Sequence, residues 1–218
     1  MLHQESRLMM NAMTPTEKTL EQLMEEIRLY QPWTDKETWE KQQILDFMEK
    51  NPDCLVRGNR IAHMTVSSWV VNPERTKVLM AYHKIYDSWA WLGGHADGCA
   101  DLLAVAVKEA CEEAGLMPDI IGGTGPLQGV RPVSREIFSL ETLTVDGHMK
   151  RGQWVPSHLH LNLTYLLEAP EDAALKINEE ENSGVAWFTF EEALKASKEP
   201  WFIEHIYSKL IRKVKWRT

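Results

Sequence analysis

Three glutamates on one predicted helix form the most chemically suggestive pattern in the sequence. Glu109, Glu112 and Glu113 stand at positions i, i+3 and i+4, which places their side chains within one arc of about 100° on a helix. Like charges this close repel one another, and a bound divalent cation would relieve the repulsion. Mg2+ prefers carboxylate oxygens and commonly bridges to substrate phosphates. The alternative is a solvated acidic helix face that binds nothing.

The helix that carries these glutamates is predicted from about residue 101 to residue 114. A glycine-containing loop, Gly93–Gly98, precedes it, and Gly115 follows in the C-cap position. Its apolar residues share one face, which we expect to pack on a sheet: Leu103, Ala106, Val107, Ala110 and Ala114. The loop follows a predicted strand, so the glutamates belong to a strand–loop–helix unit.

The rest of the chain alternates between helical and strand patterns. Helices are predicted at 20–30 and from 34 or 35 to 50, the second with Trp39 facing inward, and again at 191–197 and 200–216. Strands are predicted at 61–71, 78–83, 137–145, 159–167 and 185–190, and residues 146–156 are expected to form an exposed excursion. This mixture predicts an α+β fold with a mixed sheet and helices packed on it.

Composition limits the classes of partner. The 218 residues include 24 Lys plus Arg against 32 Asp plus Glu, a formal net charge of −8, which is the wrong sign for binding a nucleic-acid polymer. The longest strictly apolar run, Leu102–Val107, is far shorter than the ~20 residues that span a bilayer. Three cysteines at spacings that match no zinc pattern fit reduced thiols. We therefore expect a cytoplasmic protein that binds neither nucleic acid nor membranes.

The segment Gly94–Leu116 resembles the Nudix box, G-x5-E-x7-R-E-U-x-E-E-x-G-U, in which U is an aliphatic residue. Six positions match at the family's spacing, and Ala110 is acceptable at the first U: Gly94, Glu109, Glu112, Glu113, Gly115 and Leu116. Two positions depart, because Ala100 replaces the first glutamate of the box and Lys108 replaces its arginine. The missing pair braces the loop in the family, and we expect Asp97 or Asp101 to take over this role with Lys108.

The resemblance implies a fold, a reaction and a metal. The fold is a Nudix-type α/β/α sandwich with a mixed sheet over residues 58–218, preceded by a helical extension over residues 1–57. The reaction is metal-dependent hydrolysis of a nucleoside diphosphate linked to another moiety, or of a related organic diphosphate, by attack of water at phosphorus. Mg2+ or Mn2+ would bind Glu109, Glu112 and Glu113, and the latter two would be catalytic. Glu181, or else Glu180, is the expected general base.

Several further residues are expected to contact substrate. His158, His160 and Asn162 alternate along one face of the strand at 159–167, which borders the substrate cleft in folds of this family. His95 lies in the box loop, and Arg135 is a candidate phosphate contact. His158 and His160 point the same way and could ligate a transition metal. The sequence suggests no third nitrogen or sulfur ligand at a suitable spacing, so zinc is not predicted.

Two other functions share this fold. A Nudix domain weakened by Ala100 and Lys108 would act as a sensor that binds a nucleotide metabolite without turnover. An isomerase of isoprenoid diphosphates would need an active-site cysteine, and neither Cys99 nor Cys111 stands in a context that resembles that family. Metal-dependent hydrolysis is therefore the leading prediction. A homodimer is a further expectation.

Overall fold

The computed structural model describes residues 18–85, 87–119, 127–150 and 152–216, with only the backbone of Lys150. The helices are α1 (Leu20–Leu29), α2 (Asp35–Lys50), α3 (Leu102–Ala114), α4 (Phe190–Ala196), α5 (Pro200–Phe202) and α6 (Ser208–Trp216), with a π-helical segment (Ile203–Tyr207) before α6. The strands are β1 (Ala62–Val71), β2 (Lys77–His83), β3 (Ser88–Ala90), β4 (Leu92–His95), β5 (Arg131–Pro132), β6 (Ser139–Val145), β7 (His148–Lys150), β8 (Gln153–Val155), β9 (His158–Glu168) and β10 (Asn182–Thr189). None of the helices in these ranges is long and apolar enough to cross a membrane.

The main sheet is mixed, as predicted. Its strands run in the order β10-β2-β1-β9-β5, with β3 paired to β2, β4 to β1 and β6 to β9. The central pair β1 and β9 is parallel, with His63 opposite His160, and the other pairs of the sheet are antiparallel. Strand β4, which leads into the box loop, therefore lies beside the strand that pairs with β9.

Helices cover both faces of this sheet. On one face, the Ser68 hydroxyl donates to the backbone carbonyl of Ala106 in α3 at 2.8 Å. On the other face, the ring of Trp69 stacks on Tyr207 of the π-helical segment, with ring centroids 5.6 Å apart. Because successive strand residues point to opposite faces, β1 supplies both contacts. The expected α/β/α sandwich is confirmed.

The N-terminal helices begin at side-chain caps. The hydroxyls of Thr19 and Thr34 accept hydrogen bonds from backbone N–H groups in the first turns of α1 and α2. The expectation that Trp39 faces inward is wrong, because its side chain is 71% exposed. The buried stripe of α2 instead contains two acids and three apolar residues: Glu37, Glu40, Ile44, Leu45 and Met48. Because this face contains two glutamates, the sequence pattern did not indicate that it is buried.

A buried charge network explains the inward acids. The carboxylate of Glu37 is fully buried and lies 2.9 Å from the Lys209 ammonium and 3.2 Å from that of Lys213. Lys209 also contacts Glu141 on β6 at 2.8 Å, so the network joins α2, β6 and α6. Burial alone would raise the pKa of Glu37, but the two lysines outweigh it and lower the pKa to about 2.

Residues 146–156 are largely exposed, as expected, and they are ordered as strands. They form the hairpin β7–β8, which has Gly152 in the left-handed region at φ 78° next to its turn. The exposed Trp154 shows that the hairpin buries little apolar surface. Strands of three residues carry too little alternation to be detected from sequence.

Candidate active site

Helix α3 starts and ends through local signals. The Asp101 carboxylate caps its first turn by accepting from the backbone N–H of Ala104 at 3.3 Å. Gly115 ends it in the left-handed region at φ 68°, where a Cβ would collide with Lys176. The glutamates therefore lie on a helix with the predicted start and end. Strand β4 precedes this helix, and the loop that contains Lys176 covers its end.

Glu113 points into the protein, toward the backbone of strand β4. Its side chain is buried, and its Oε2 accepts from the backbone N–H of Gly93 at 2.9 Å. Burial raises the pKa of Glu113 well above its usual range, and the neighbouring carboxylates of Glu109 and Glu181 raise it further. The site thus concentrates negative charge in a place that water screens poorly.

Glu109 occupies space that only a glycine leaves open. A Cβ on Gly94 would lie 2.5 Å from the Glu109 carboxyl carbon, so any larger residue at position 94 would displace this side chain. Burial raises the pKa of Glu109, although Lys108 acts in the opposite direction. The glycine of the box thus allows the carboxylate to lie against the loop backbone.

Glu112 is the most accessible of the three glutamates. Its side chain is 46% exposed, and its Oε2 lies 2.8 Å from the Lys108 ammonium, which also approaches Glu109 at 3.3 Å. Within the described residues, the carboxylate oxygens of the three glutamates do not gather within 4.8 Å of one another. Lys108 therefore supplies the local positive charge while the carboxylates stand apart.

The brace of the box loop differs from the expected one. Asp97 pairs with Arg57 rather than with Lys108, through a bidentate contact in which Arg57 Nε donates to Asp97 Oδ1 at 2.7 Å. Asp101 serves as the helix cap, and Ala100 is buried among apolar residues. The expected Lys108 brace is wrong because Lys108 points along its own helix toward Glu112. The guanidinium of the loop brace comes from outside the box.

A second loop brings another acid to the box. Glu181 lies just before β10, and its negative charge contributes to the raised pKa values of both Glu109 and Glu113. Asn182 anchors this loop, because its buried amide donates to the backbone carbonyl of Glu113 at 2.9 Å. The structure therefore brings Glu181 to the glutamates of α3. Glu180 is exposed on the same loop.

The NUDIX domain family model matches residues 62–210 of this chain. The chain belongs to the Nudix hydrolase family. This confirms the family that the box predicts and the enzyme class of hydrolases acting on phosphoanhydrides. Nudix hydrolases generally use divalent metal ions. The match begins after Arg57, so it contains neither this half of the loop brace nor the N-terminal helices.

Solved structures agree with the fold. A MutT protein from Methanosarcina mazei Go1 is 14% identical, covers 72% of this chain and 98% of its own, and has a TM-score of 0.52. A NUDIX-family hydrolase from Clostridium perfringens is 22% identical over 72% of this chain and 98% of its own, with a TM-score of 0.45. The E. coli dihydroneopterin triphosphate pyrophosphohydrolase is 14% identical over 68% and 94%, with a TM-score of 0.48. A comparison with curated protein sequences finds no significant match.

The predicted substrate residues fall into separate places around this Nudix core. Asn162 is buried, and its side-chain oxygen accepts from the hydroxyls of Thr65 and Ser67 at 3.0 Å each. Its amide nitrogen donates to Glu141 at 3.2 Å, so Asn162 belongs to the interior and is no longer assigned to substrate. Arg135 is exposed between β5 and β6.

The predicted histidines do come together, and a fourth joins them. His63, His95, His158 and His160, the histidine cluster, have ring centroids 5.0–5.2 Å apart in five of their six pairs. Burial, with the other histidines and Arg57, lowers the pKa of His160 to about 2. Sequence reasoning missed His63. His63 lies opposite His160 because β1 pairs in parallel with β9, and this pairing joins residues that are far apart in the sequence.

The cysteines do not favour the isomerase. Burial raises the pKa of the Cys111 thiol to about 12, so its thiolate form is disfavoured at neutral pH. Cys99 is partly buried and donates a weak hydrogen bond to the backbone carbonyl of Asp101. Both positions match the structural role expected of a small, partly buried side chain.

Proposed function

We propose that this Nudix hydrolase is a metal-dependent pyrophosphohydrolase that cleaves a nucleoside diphosphate linked to another moiety, or a related organic diphosphate. The supporting observation is the concentration of acids around the box loop. Glu109 and Glu113 are packed against consecutive glycines, Glu112 is accessible beside them, and Glu181 faces them from a second loop. Four acids with Lys108 as the cation beside two of them leave net negative charge, which a hard divalent cation would neutralise while binding an anionic substrate in turn.

The carboxylates of Glu109, Glu112 and Glu113 fit Mg2+ or Mn2+ in donor type. Burial raises the pKa of both Glu109 and Glu113, and the nearby acids Glu112 and Glu181 raise it further, a repulsion that a bound cation would relieve. Glu112 needs only to exchange Lys108 for the cation, because its side chain is already partly exposed. When bound, such a cation neutralises diphosphate charge and lowers the pKa of water.

The chain's own groups then account for the remaining chemistry. Glu181, the proposed general base, takes a proton from the attacking water, with Glu180 as the second candidate. The water oxygen forms a bond to phosphorus, and the phosphoanhydride bond on the opposite side breaks with its electron pair leaving on oxygen. The Arg57–Asp97 pair keeps the box loop fixed, so the carboxylates are positioned before substrate binds.

The decisive experiment is a panel of nucleoside diphosphate conjugates and related diphosphates, assayed with Mg2+, Mn2+ or chelator for the two phosphorylated products that cleavage of the phosphoanhydride bond gives. We expect metal-dependent hydrolysis of at least one diphosphate, and Glu112→Gln and Glu113→Gln should each reduce kcat by about 100-fold or more, the scale of losing one preorganised electrostatic contact. Glu191→Gln, an exposed acid on α4 paired with Lys195, is the matched control and should retain full activity. Full hydrolysis by both site variants would refute the assignment.

One observation favours the sensor as the second candidate. The Lys108 ammonium forms an ion pair with Glu112 and approaches Glu109, so it competes with a metal cation for the same carboxylate oxygens. Binding of a diphosphate without turnover, under every metal condition, would support the sensor. The net charge and the free thiols support a cytoplasmic location, which is part of the proposal, as is the homodimer.

A further inference from the structure

The histidine cluster lies on the sheet, outside the group of carboxylates on α3. Among the residues that the structure describes, the ligand atoms of His63, His95 and His160 all lie within 4.8 Å of one another. The three come from β1, β4 and β9, so neighbouring strands of one sheet hold them. The sequence suggested no third nitrogen ligand for this place, and the pairing of β1 with both β4 and β9 supplies it.

The separation of the ligand atoms can be compared with that in a zinc site. Zn–N bonds of about 2.0–2.1 Å in a tetrahedral site place the nitrogen atoms roughly 3.3 Å apart. The ligand atoms of His63, His95 and His160 lie within 4.8 Å of one another, so a bound metal would need to draw them closer together.

The buried histidine is prepared as a ligand. His63 is only 4% exposed, and its Nδ1 donates to the backbone carbonyl of Asn59 at 3.0 Å. This hydrogen bond leaves the lone pair on Nε2, and that atom is buried without a hydrogen-bond partner in the structure. An imidazole held by a backbone carbonyl is the usual arrangement around a metal-bound histidine.

His158 repeats the pattern at the edge of the cluster. Its Nδ1 donates to the backbone carbonyl of Pro156 at 2.8 Å, so its Nε2 accepts the hydrogen bond from His160. His158 thereby orients the His160 ring. The free lone pair of His63 repels a phosphate oxygen and attracts a cation, so the ligand of the cluster is not an anion held directly.

We propose that His63, His95 and His160 form a binding site for a transition-metal cation of the zinc class, with His158 as a positioning residue. Imidazole nitrogen suits zinc and neighbouring transition metals, whereas the carboxylates of α3 suit Mg2+ or Mn2+. Three protein ligands leave a fourth position open to water or to a substrate oxygen. This site does not depend on the proposed hydrolysis.

The test uses the full chain after removal of metals by a chelator. Zn2+ binding is measured by calorimetry, and Co2+ is added as a coloured probe whose visible absorption reports a low coordination number. We expect one tight Zn2+ and a strong Co2+ band in the wild type, and at least about 100-fold weaker binding in His95→Gln and His160→Gln. His158→Gln should weaken binding about 10–100-fold, as expected of an orienting partner.

Two controls separate this site from its neighbours. His148→Gln removes a histidine outside the cluster whose Nδ1 also donates to a backbone carbonyl, and binding should not change. Glu112→Gln alters the carboxylate site and should leave the Co2+ band intact. Absence of Zn2+ binding in the wild type, equal binding in the cluster variants, or loss of the band in Glu112→Gln would each overturn the proposal.

A measurement on the wild type covers the case in which the cluster variants fail to fold. Ring-nitrogen NMR spectra recorded with and without Zn2+ report directly on each histidine. The signals of His63, His95 and His160 should shift on addition of one equivalent of Zn2+, and those of His148 and His205 should not. Shifts confined to histidines outside the cluster, or no shift at all, would contradict the site.

Discussion

Replacement of Glu37 by Gln tests the buried network that joins α2 to the sheet. The change keeps the shape of the side chain and removes its charge. Lys209 keeps Glu141 as a partner at 2.8 Å, but Lys213 loses the carboxylate of Glu37 and keeps the Tyr30 hydroxyl at 2.7 Å and its aromatic neighbours. Breaking a buried ion pair and leaving one charge uncompensated costs about 3–5 kcal/mol.

The pKa of Glu37 gives an independent value. It falls from 4.5 to about 2, and each unit corresponds to about 1.4 kcal/mol, so the charged form contributes roughly 3 kcal/mol to folding. Because the folded-state pKa is lowered, this contribution is present above pH 4.5 and is lost as the pH falls toward 2. The two values agree within the range of such measurements.

Urea unfolding at several pH values measures this effect. At pH 7 we expect Glu37→Gln to lower the free energy of unfolding by about 3 kcal/mol, and the wild type to lose most of this difference under acid conditions. Glu25→Gln removes an exposed acid that contacts Arg28 at 3.3 Å, and it should change stability by less than about 0.5 kcal/mol. A loss below about 1 kcal/mol for Glu37→Gln, or one that does not depend on pH, would refute the reasoning.

Further predictions concern the active site. Gly94→Ala should displace Glu109 and weaken Mg2+ binding in a titration without unfolding the protein. Glu113→Gln should raise the Tm of the metal-free protein at neutral pH, because a raised pKa makes the ionised carboxyl unfavourable there; an unchanged or lowered Tm would contradict this. Glu181→Gln should lower kcat about 100- to 10,000-fold, whereas the same change at Glu180 should not. Asn182→Ala should cost about 1–3 kcal/mol in urea unfolding.

Local signals made much of this protein predictable from sequence. The cap at Asp101, the apolar face of α3 and Gly115 act within a few residues, and they fix the helix that carries Glu109 and Glu113. The alternation of β9 likewise predicted its two faces. Glu181 was predicted from the family resemblance, which expects an acid in the loop before the late strand, and only the structure shows that its charge reaches α3.

Features that depend on distant contacts were missed. The inward direction of Glu37 depends on Lys209 and Lys213, which lie far along the chain. Because the buried face of this helix carries charged residues, the sequence predicted instead that Trp39 faces inward. The burial of Asn162 depends on acids from β6 and hydroxyls from β1. His63 was missed for the same reason, because strand pairing joins it to its partners.

The Arg57–Asp97 pair has a consequence for the boundary of the folding unit. The family match begins at residue 62, yet the residue that holds the box loop lies before it. Glu37 also lies before the match, and Lys213 lies after it, so a chain trimmed to residues 62–210 would lose both contacts. Contacts that hold the box loop and α2 therefore extend beyond the residues by which the family is recognised, and shortening the chain to those residues would remove Arg57 from the loop and Glu37 from Lys209.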